Sequence, residues 1–259
     1  GTLTLVAGEY LTVDGTVTAS ILSITATKEI SLTDLNVDVI VINVAGVPVE
    51  IHNAKNLSVS IGSTVSSLAI TTSHGDITVS NNVSAIGDVT LTAAGAIRTD
   101  STGVTLAGND VTLVAQSGGV DVKVDANTLD LTAGGALTVE DTDDVTVLRI
   151  VQNAAGQSVS VTAASGLTVG TASDTSTIID SKGGALTLDA GTTDLILYAP
   201  IVSGGGSISL QADNDITLNT SAQVNGEAGS TARMTVTADH DANGSGSLTM
   251  VDGSLLNAA

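Results

Sequence analysis

The sequence predicts an all-β protein, a parallel β-helix (β-solenoid) of about 12 to 13 coils. Three observations predict it. Val, Ile and Thr supply 86 of the 259 residues, and only two prolines, Pro48 and Pro200, interrupt them. Such β-branched side chains fit a pleated surface, and so sparse a proline count leaves strands free to run. A short unit, apolar-x-apolar-x-Ala followed by a turn and a second apolar-x-apolar arm, recurs from end to end. Finally, there is no Phe or Trp and only two tyrosines, Tyr10 and Tyr198. A thick globular core therefore lacks the large side chains that usually fill it.

The unit appears first as Leu3-Thr-Leu-Val-Ala7 running to Leu11, then as Leu22-Ser-Ile-Thr-Ala26 running to Ile30. It returns as Val89-Thr-Leu-Thr-Ala93 to Ile97, Leu129-Asp-Leu-Thr-Ala133 to Leu137, Val159-Ser-Val-Thr-Ala163 to Leu167, and Ile208-Ser-Leu-Gln-Ala212 to Ile216. Two stretched copies run from Val111 to Val120 and from Leu186 to Leu195. Alternation places the two apolar residues and the Ala on one face of a strand. The small Ala then lets that inward face close around a corner. The turns carry Gly, Asn or Asp, as at Gly75-Asp76, Gly183-Gly184 and Asn214-Asp215. These residues tolerate left-handed backbone angles. Thr and Ser fill the outward positions between. A β-sandwich needs bulky core residues and no repeated corner; a solenoid needs stacked corners over a thin Val/Ile/Leu/Ala core. The second description fits, with equivalent starts at Leu3, Leu22, Ile40, Leu57 and Ile77, then Val89, Val111 and Leu129.

The pattern is already running at Leu3-Thr-Leu5 and still running at Leu248-Thr-Met250. Residues 1–259 are accordingly expected to form one solenoid domain, a segment of a longer protein or a subunit of a polymerising assembly.

Charge excludes several partners. Seven Lys and Arg face 27 Asp and Glu, a net charge of -20. Nucleic-acid binding draws on cations to displace counterions and on aromatics to stack bases, and both are scarce here. Anionic membrane surfaces repel such a chain. The apolar stretch from Val37 to Val49 is broken by Asp38, Asn43 and Gly46, well short of the roughly 20 residues of a membrane helix. Absence of cysteine excludes thiol chemistry.

Strings such as Gly206-Ser-Ile-Ser-Leu-Gln-Ala-Asp-Asn-Asp-Ile-Thr-Leu-Asn219 and Gly134-Gly-Ala-Leu-Thr-Val139 resemble the repeats of filamentous-haemagglutinin-type proteins, giant secreted surface proteins of bacteria. The resemblance covers nearly the whole chain. It implies a right-handed β-helix, an extracellular or cell-surface location, and a shaft used in adhesion or in a surface fibre. Partners would then be further copies joined end to end, or a host or neighbouring cell surface. No functional residue carries over, because shafts of this kind share no active site.

Signals for catalysis are weak. Gly244-Ser-Gly246 lies in a Gly/Ser-rich turn without the strand-to-helix context of a nucleophile elbow. His52, His74 and His240 are far apart and read as outward or turn residues. A β-helical polysaccharide-degrading enzyme would need clustered carboxylates, or a basic residue to take a proton, and aromatics to stack on sugar rings. The best group, Asp141-Thr-Asp143-Asp144, reads as a solvated corner, so the chain is expected not to be an enzyme. A binding module is the runner-up, an ice- or glycan-binding face built on rows such as Thr2-x-Thr4, Thr16-x-Thr18, Thr90-x-Thr92 and Thr235-x-Thr237. Val37, Val39 and Val41 alternate with Ile40, Ile42 and Val44, so one set faces outward unless a bulge shifts the register. Ile196 and Tyr198 raise the same question beside Leu195 and Leu197.

One metal site is legible. Another copy of the unit begins Met234-Thr-Val-Thr-Ala238, and Asp239-His-Asp241-Ala-Asn243-Gly-Ser245-Gly-Ser247 replaces its short turn. Oxygen side chains at alternate positions before a Gly match the first half of a calcium loop, with Asp239, Asp241, Asn243 and Ser245 as candidate Ca2+ ligands. The second half is missing, since Met250 falls where a bidentate Glu belongs. Completion would require waters, carbonyls, or acids of an adjacent coil such as Asp213 or Asp215. A plain long turn is the alternative.

Overall fold

The computed structural model describes residues 1–13, 15–101, 103–226 and 233–257, which form 27 β-strands and no helix. Every strand pairing is parallel, and the coils stack as a β-solenoid of about 11 turns. The sequence spacing predicts slightly more because it misses how much chain the later coils consume. Val159 stacks on Leu186, and Ile208 on Met234, a longer reach than Leu3 to Leu22. Two compact units divide the chain, Gly1–Asp125 and Ala126–Ala259.

In the first unit, one face carries the inward column Leu3, Leu22, Ile40, Val59, Val79, each residue in register with the next. A second face carries Leu11, Ile30, Val49, Leu68, Val89 and Val111. The residue stacked on Ile40 is Val59, not Leu57; both face inward, and the corner before them shifts the start by one alternation. In the second unit three columns close each coil. They run Leu137, Val159, Leu186, Ile208, Met234; then Val145, Leu167, Leu195, Ile216, Leu248; then Ile150, Ile179, Ile201, Val224, Leu256. Interior members of these columns are sealed from solvent, as at Leu186, Leu195 and Ile201. Stacking like on like gives strand amides partners one coil away, while the apolar interior stays close-packed.

The corner alanines sit where the repeat places them: Ala26, Ala93, Ala133, Ala163 and Ala212 are all buried. Some coils substitute a polar residue at that position. Asn53 stacks on Thr72, which stacks on Ala93; Asp141 stacks on Ala163; Gln152 stacks on Ala133. Each bonds backbone that the bend takes out of the ladder. The Asn53 side chain accepts from the Val37 N–H and donates to the Val37 carbonyl, both at 3.0 Å, and donates to the Lys55 carbonyl at 2.9 Å. This bend explains Val37. A register shift in the pairing of Ile30–Ile42 with Pro48–Asn53 turns Val37 inward with Leu35, and alternation resumes with Ile40 and Ile42 inside. Val39 and Val41 face outward, half-buried. Ile196 and Tyr198 are also half-buried, opposite the sealed Leu195 and Leu197.

The turn glycines Gly75 and Gly183 take the expected positive φ, 94° and 90°, while most turn Asn and Asp residues do not. Among the described non-glycine residues only Lys182, Asp239 and Ala242 have positive φ. The turn acids and amides instead use their side chains. Asn56 accepts the Asp76 N–H and Asp76 accepts the Ala96 N–H, both at 2.8 Å. In the second unit Asp194 accepts the Asp215 N–H at 3.1 Å, and Asp215 accepts the Ser247 N–H at 2.8 Å. Each side chain thus fastens the next coil at its corner.

Candidate functional site

The strand Met234–Thr237 follows the register of Ile208–Gln211, so the loop beginning at Asp239 leaves the coil at the usual corner. Its start is pinned to the coil beneath. Asp239 N–H donates to the Asn214 carbonyl at 3.2 Å, and His240 N–H donates to the Ala212 carbonyl at 3.0 Å. A chain reversal follows, with φ of 57° at Asp239, 57° at Ala242 and 84° at Gly244. Left-handed angles are ordinary for Gly and tolerated by Asp, but costly for Ala. The loop returns to the coil at Ser247, whose N–H and hydroxyl both donate to Asp215 Oδ1 at 2.8 Å.

All four predicted ligands come together here, and their oxygens turn toward the loop itself. Gly244 N–H donates to Asp239 Oδ1 at 2.9 Å. Asn243 donates its N–H to Asp241 Oδ1 at 3.2 Å and its side-chain amide to Asp241 Oδ2 at 2.7 Å. Ser245 N–H donates to Asn243 Oδ1 at 2.9 Å, and the Ser245 hydroxyl donates to the same oxygen. This self-closure is what short oxygen side chains do for nearby amides in a turn. The acids expected from the neighbouring coil are engaged too: Asp215 holds Ser247, and Asp213 faces His240 Nδ1 at 3.5 Å. Among the described residues no three His, Cys, Asp or Glu side chains gather closely enough to hold a metal ion.

The other candidates are placed as follows. Asp141 is buried at 4% exposure rather than solvated, while Asp143 and Asp144 are exposed. Its carboxylate accepts the Ala126 N–H at 3.0 Å and the Asp143 N–H at 2.8 Å, so it organises a corner. The reason is its register: it occupies the place of a corner Ala. His52 lies outward beside Glu50, His74 beside Ser73, and His240 on the loop. Stacking brings cations to acids that are distant in sequence: Lys28 to Glu9, Lys55 to Asp38, Arg98 to Asp76, and Arg149 bidentately to Asp130. Such exposed pairs contribute about 0–1 kcal/mol each and mainly break up the negative surface. The Thr-x-Thr pairs at Thr2, Thr90 and Thr235 are not repeated in the coils stacked on them. Thr90 and Thr92 lie between Ala69 and Thr71 on one side and Thr112 and Val114 on the other. Thr2 and Thr4 stack on Ile21 and Ser23, and Thr235 and Thr237 stack on Ser209 and Gln211. Thr16 donates its hydroxyl to Asp34.

The residues that sequence reasoning missed are the polar corners Asn53, Thr72 and Gln152, and Asp141 is the one it named but placed in solvent. The available signal was the position itself, since each stands where the repeat calls for Ala. No family model, no curated protein and no solved structure matches this chain.

Proposed function

We propose that the chain is a non-enzymatic structural or adhesive shaft on the outside of a bacterial cell, extended end-on by further coils. Its repeats resemble those of filamentous-haemagglutinin-type proteins, and the proposed role is theirs: to hold a surface-exposed fibre away from the cell. One observation carries this reading. Leu248 and Met250 continue inward columns whose preceding members, Ile216 and Leu218, are 0% exposed, yet each is 45% exposed itself. The strands Met234–Thr237, Leu248–Met250 and Leu255–Asn257 each pair on one side only among the described residues. An open apolar cross-section bordered by strands with one described neighbour each is a template for another coil. The mechanism is mechanical, because load along the stack falls on ladders of hydrogen bonds and on apolar columns. The -20 charge keeps the flanks of neighbouring shafts apart.

Antibodies against the purified chain test the location. They are expected to label intact producing cells as strongly as lysed ones. Labelling only after lysis removes the surface role.

Weak calcium binding at Asp239, Asp241, Asn243 and Ser245 is a secondary proposal. An ion there would exchange the loop's internal hydrogen bonds for ligation, which fits an affinity of about 10⁻⁴–10⁻³ M. Millimolar calcium is then expected to raise the melting temperature of the wild type by mass action, and to leave an Asp239→Ala, Asp241→Ala double variant unchanged. Identical melting curves for both proteins with and without millimolar calcium would make the segment a long corner and nothing more.

A further inference from the structure

The same loop holds a second arrangement that concerns covalent chemistry. The sequence contains two Asn-Gly pairs, Asn225-Gly226 and Asn243-Gly244. A following Gly matters because, without a side chain, its nitrogen can approach the Asn side-chain carbonyl. At Asn243 each atom that such an attack would involve already has a partner suited to its change of charge. The nucleophile, Gly244 N–H, donates to the Asp239 carboxylate at 2.9 Å. The carbonyl oxygen, Asn243 Oδ1, receives both the Ser245 N–H at 2.9 Å and the Ser245 hydroxyl. The leaving nitrogen, Asn243 Nδ2, is held by Asp241 Oδ2 at 2.7 Å. Those are the positions of a general base, an oxyanion-stabilising pair and a leaving-group anchor.

We infer that Asn243-Gly244 is a self-modifying site, where the loop accelerates deamidation of Asn243 through a cyclic imide. Gly244 N forms a bond to Asn243 Cγ while its proton passes to Asp239. Negative charge gathers on Oδ1, where the two Ser245 donors stabilise it. Collapse of that intermediate breaks the Cγ–Nδ2 bond, and the proton held by Asp239 returns through solvent to the departing nitrogen, which leaves as ammonia. One water then opens the five-membered imide at either carbonyl, giving Asp or isoaspartate. One water enters, one ammonia leaves, and nothing is oxidised or reduced. The product carries one more carboxylate among the loop oxygens, and the isoaspartate form lengthens the backbone by one carbon.

Asn225-Gly226 is the internal control. It continues the strand Gln223–Asn225, and Gly226 N–H is spent on the Asn257 carbonyl at 2.8 Å. That nitrogen is committed to a ladder, whereas Gly244 N–H is directed at a carboxylate.

The test is peptide mapping by mass spectrometry after incubating the intact chain at neutral pH, beside a synthetic peptide of residues 238–247. Asn243 is expected to convert about tenfold faster in the folded chain than in the peptide, and faster than Asn225 by at least as much. Asp239→Asn and Ser245→Ala are each expected to slow it by about tenfold, while Ser245→Thr, which keeps both donors, retains the rate. Conversion no faster in the folded chain than in the peptide overturns the proposal. So do unchanged rates in both Asp239→Asn and Ser245→Ala.

Discussion

Gly206→Ala is expected to lower unfolding stability by about 3 kcal/mol or more, a large part of what a domain has. The cause is backbone proximity rather than backbone angle. Gly206 stacks on Gly184 at a corner of the second unit, and a Cβ on Gly206 would fall on the Gly184 carbonyl oxygen. Gly184 meets the Gln157 carbonyl in the same way. Neither obstacle is a flexible side-chain end, so one coil must rise away from the other. That movement would break the hydrogen bonds of Leu186–Asp189 to Ile208–Gln211 beside it. Gly8→Ala is the control: nothing lies within 4 Å of its Cβ position, and its effect should stay within about 0.5 kcal/mol. Urea unfolding of the three proteins decides the matter. Equal midpoints for Gly206→Ala and Gly8→Ala would mean that the corners have room for a methyl group.

Asn53→Leu is the second large effect, expected to cost about 3–5 kcal/mol. Asn53 is 3% exposed, and its amide serves the Val37 N–H, the Val37 carbonyl and the Lys55 carbonyl. Leucine has similar bulk and leaves all three without that partner in a dry corner, at about 1–3 kcal/mol for each group stranded. Asn53→Asp separates packing from hydrogen bonding. It keeps an acceptor for the Val37 N–H, but sets oxygen against two carbonyls and buries a charge, so it should do no better than Leu. A loss below about 0.5 kcal/mol for both would show that water replaces the side chain and that the bend needs no internal bracket.

The two glycines and Asn53 also mark how far the sequence could be read. Alternation and the recurring Ala made the parallel coils legible, because period-two burial and a small corner residue leave a direct trace in composition. Register across coils leaves a fainter one. Leu57 and Val59 both face inward, so a shift of two residues changes no burial pattern and is decided only by the corner before them. Polar corners were hidden for a related reason. Asn53 and Asp141 look like solvated turn residues until stacking places them over Thr72 and Ala163. Gly183-Gly184 reads in the sequence as a turn with left-handed backbone angles, which holds for Gly183 with its φ of 90°, while Gly184 is there for want of a side chain. At the loop, the alternate oxygens of Asp239, Asp241 and Asn243 were visible at once. Their partners were not, because three oxygens spaced for an ion are also spaced to accept from the amides two to five residues on.

End-on stacking is the claim on which the proposed role depends most. Electron microscopy of the purified chain at high concentration tests it, with a Leu248→Glu, Met250→Glu variant alongside. Charge placed in the open apolar cross-section should block the addition of a further coil while leaving the sealed coils folded, because both residues belong to the exposed last members of their columns. The expected result is linear strings of particles from the wild type and single particles from the variant. Single particles from both, at a concentration where circular dichroism shows both folded, would contradict end-on assembly of this chain.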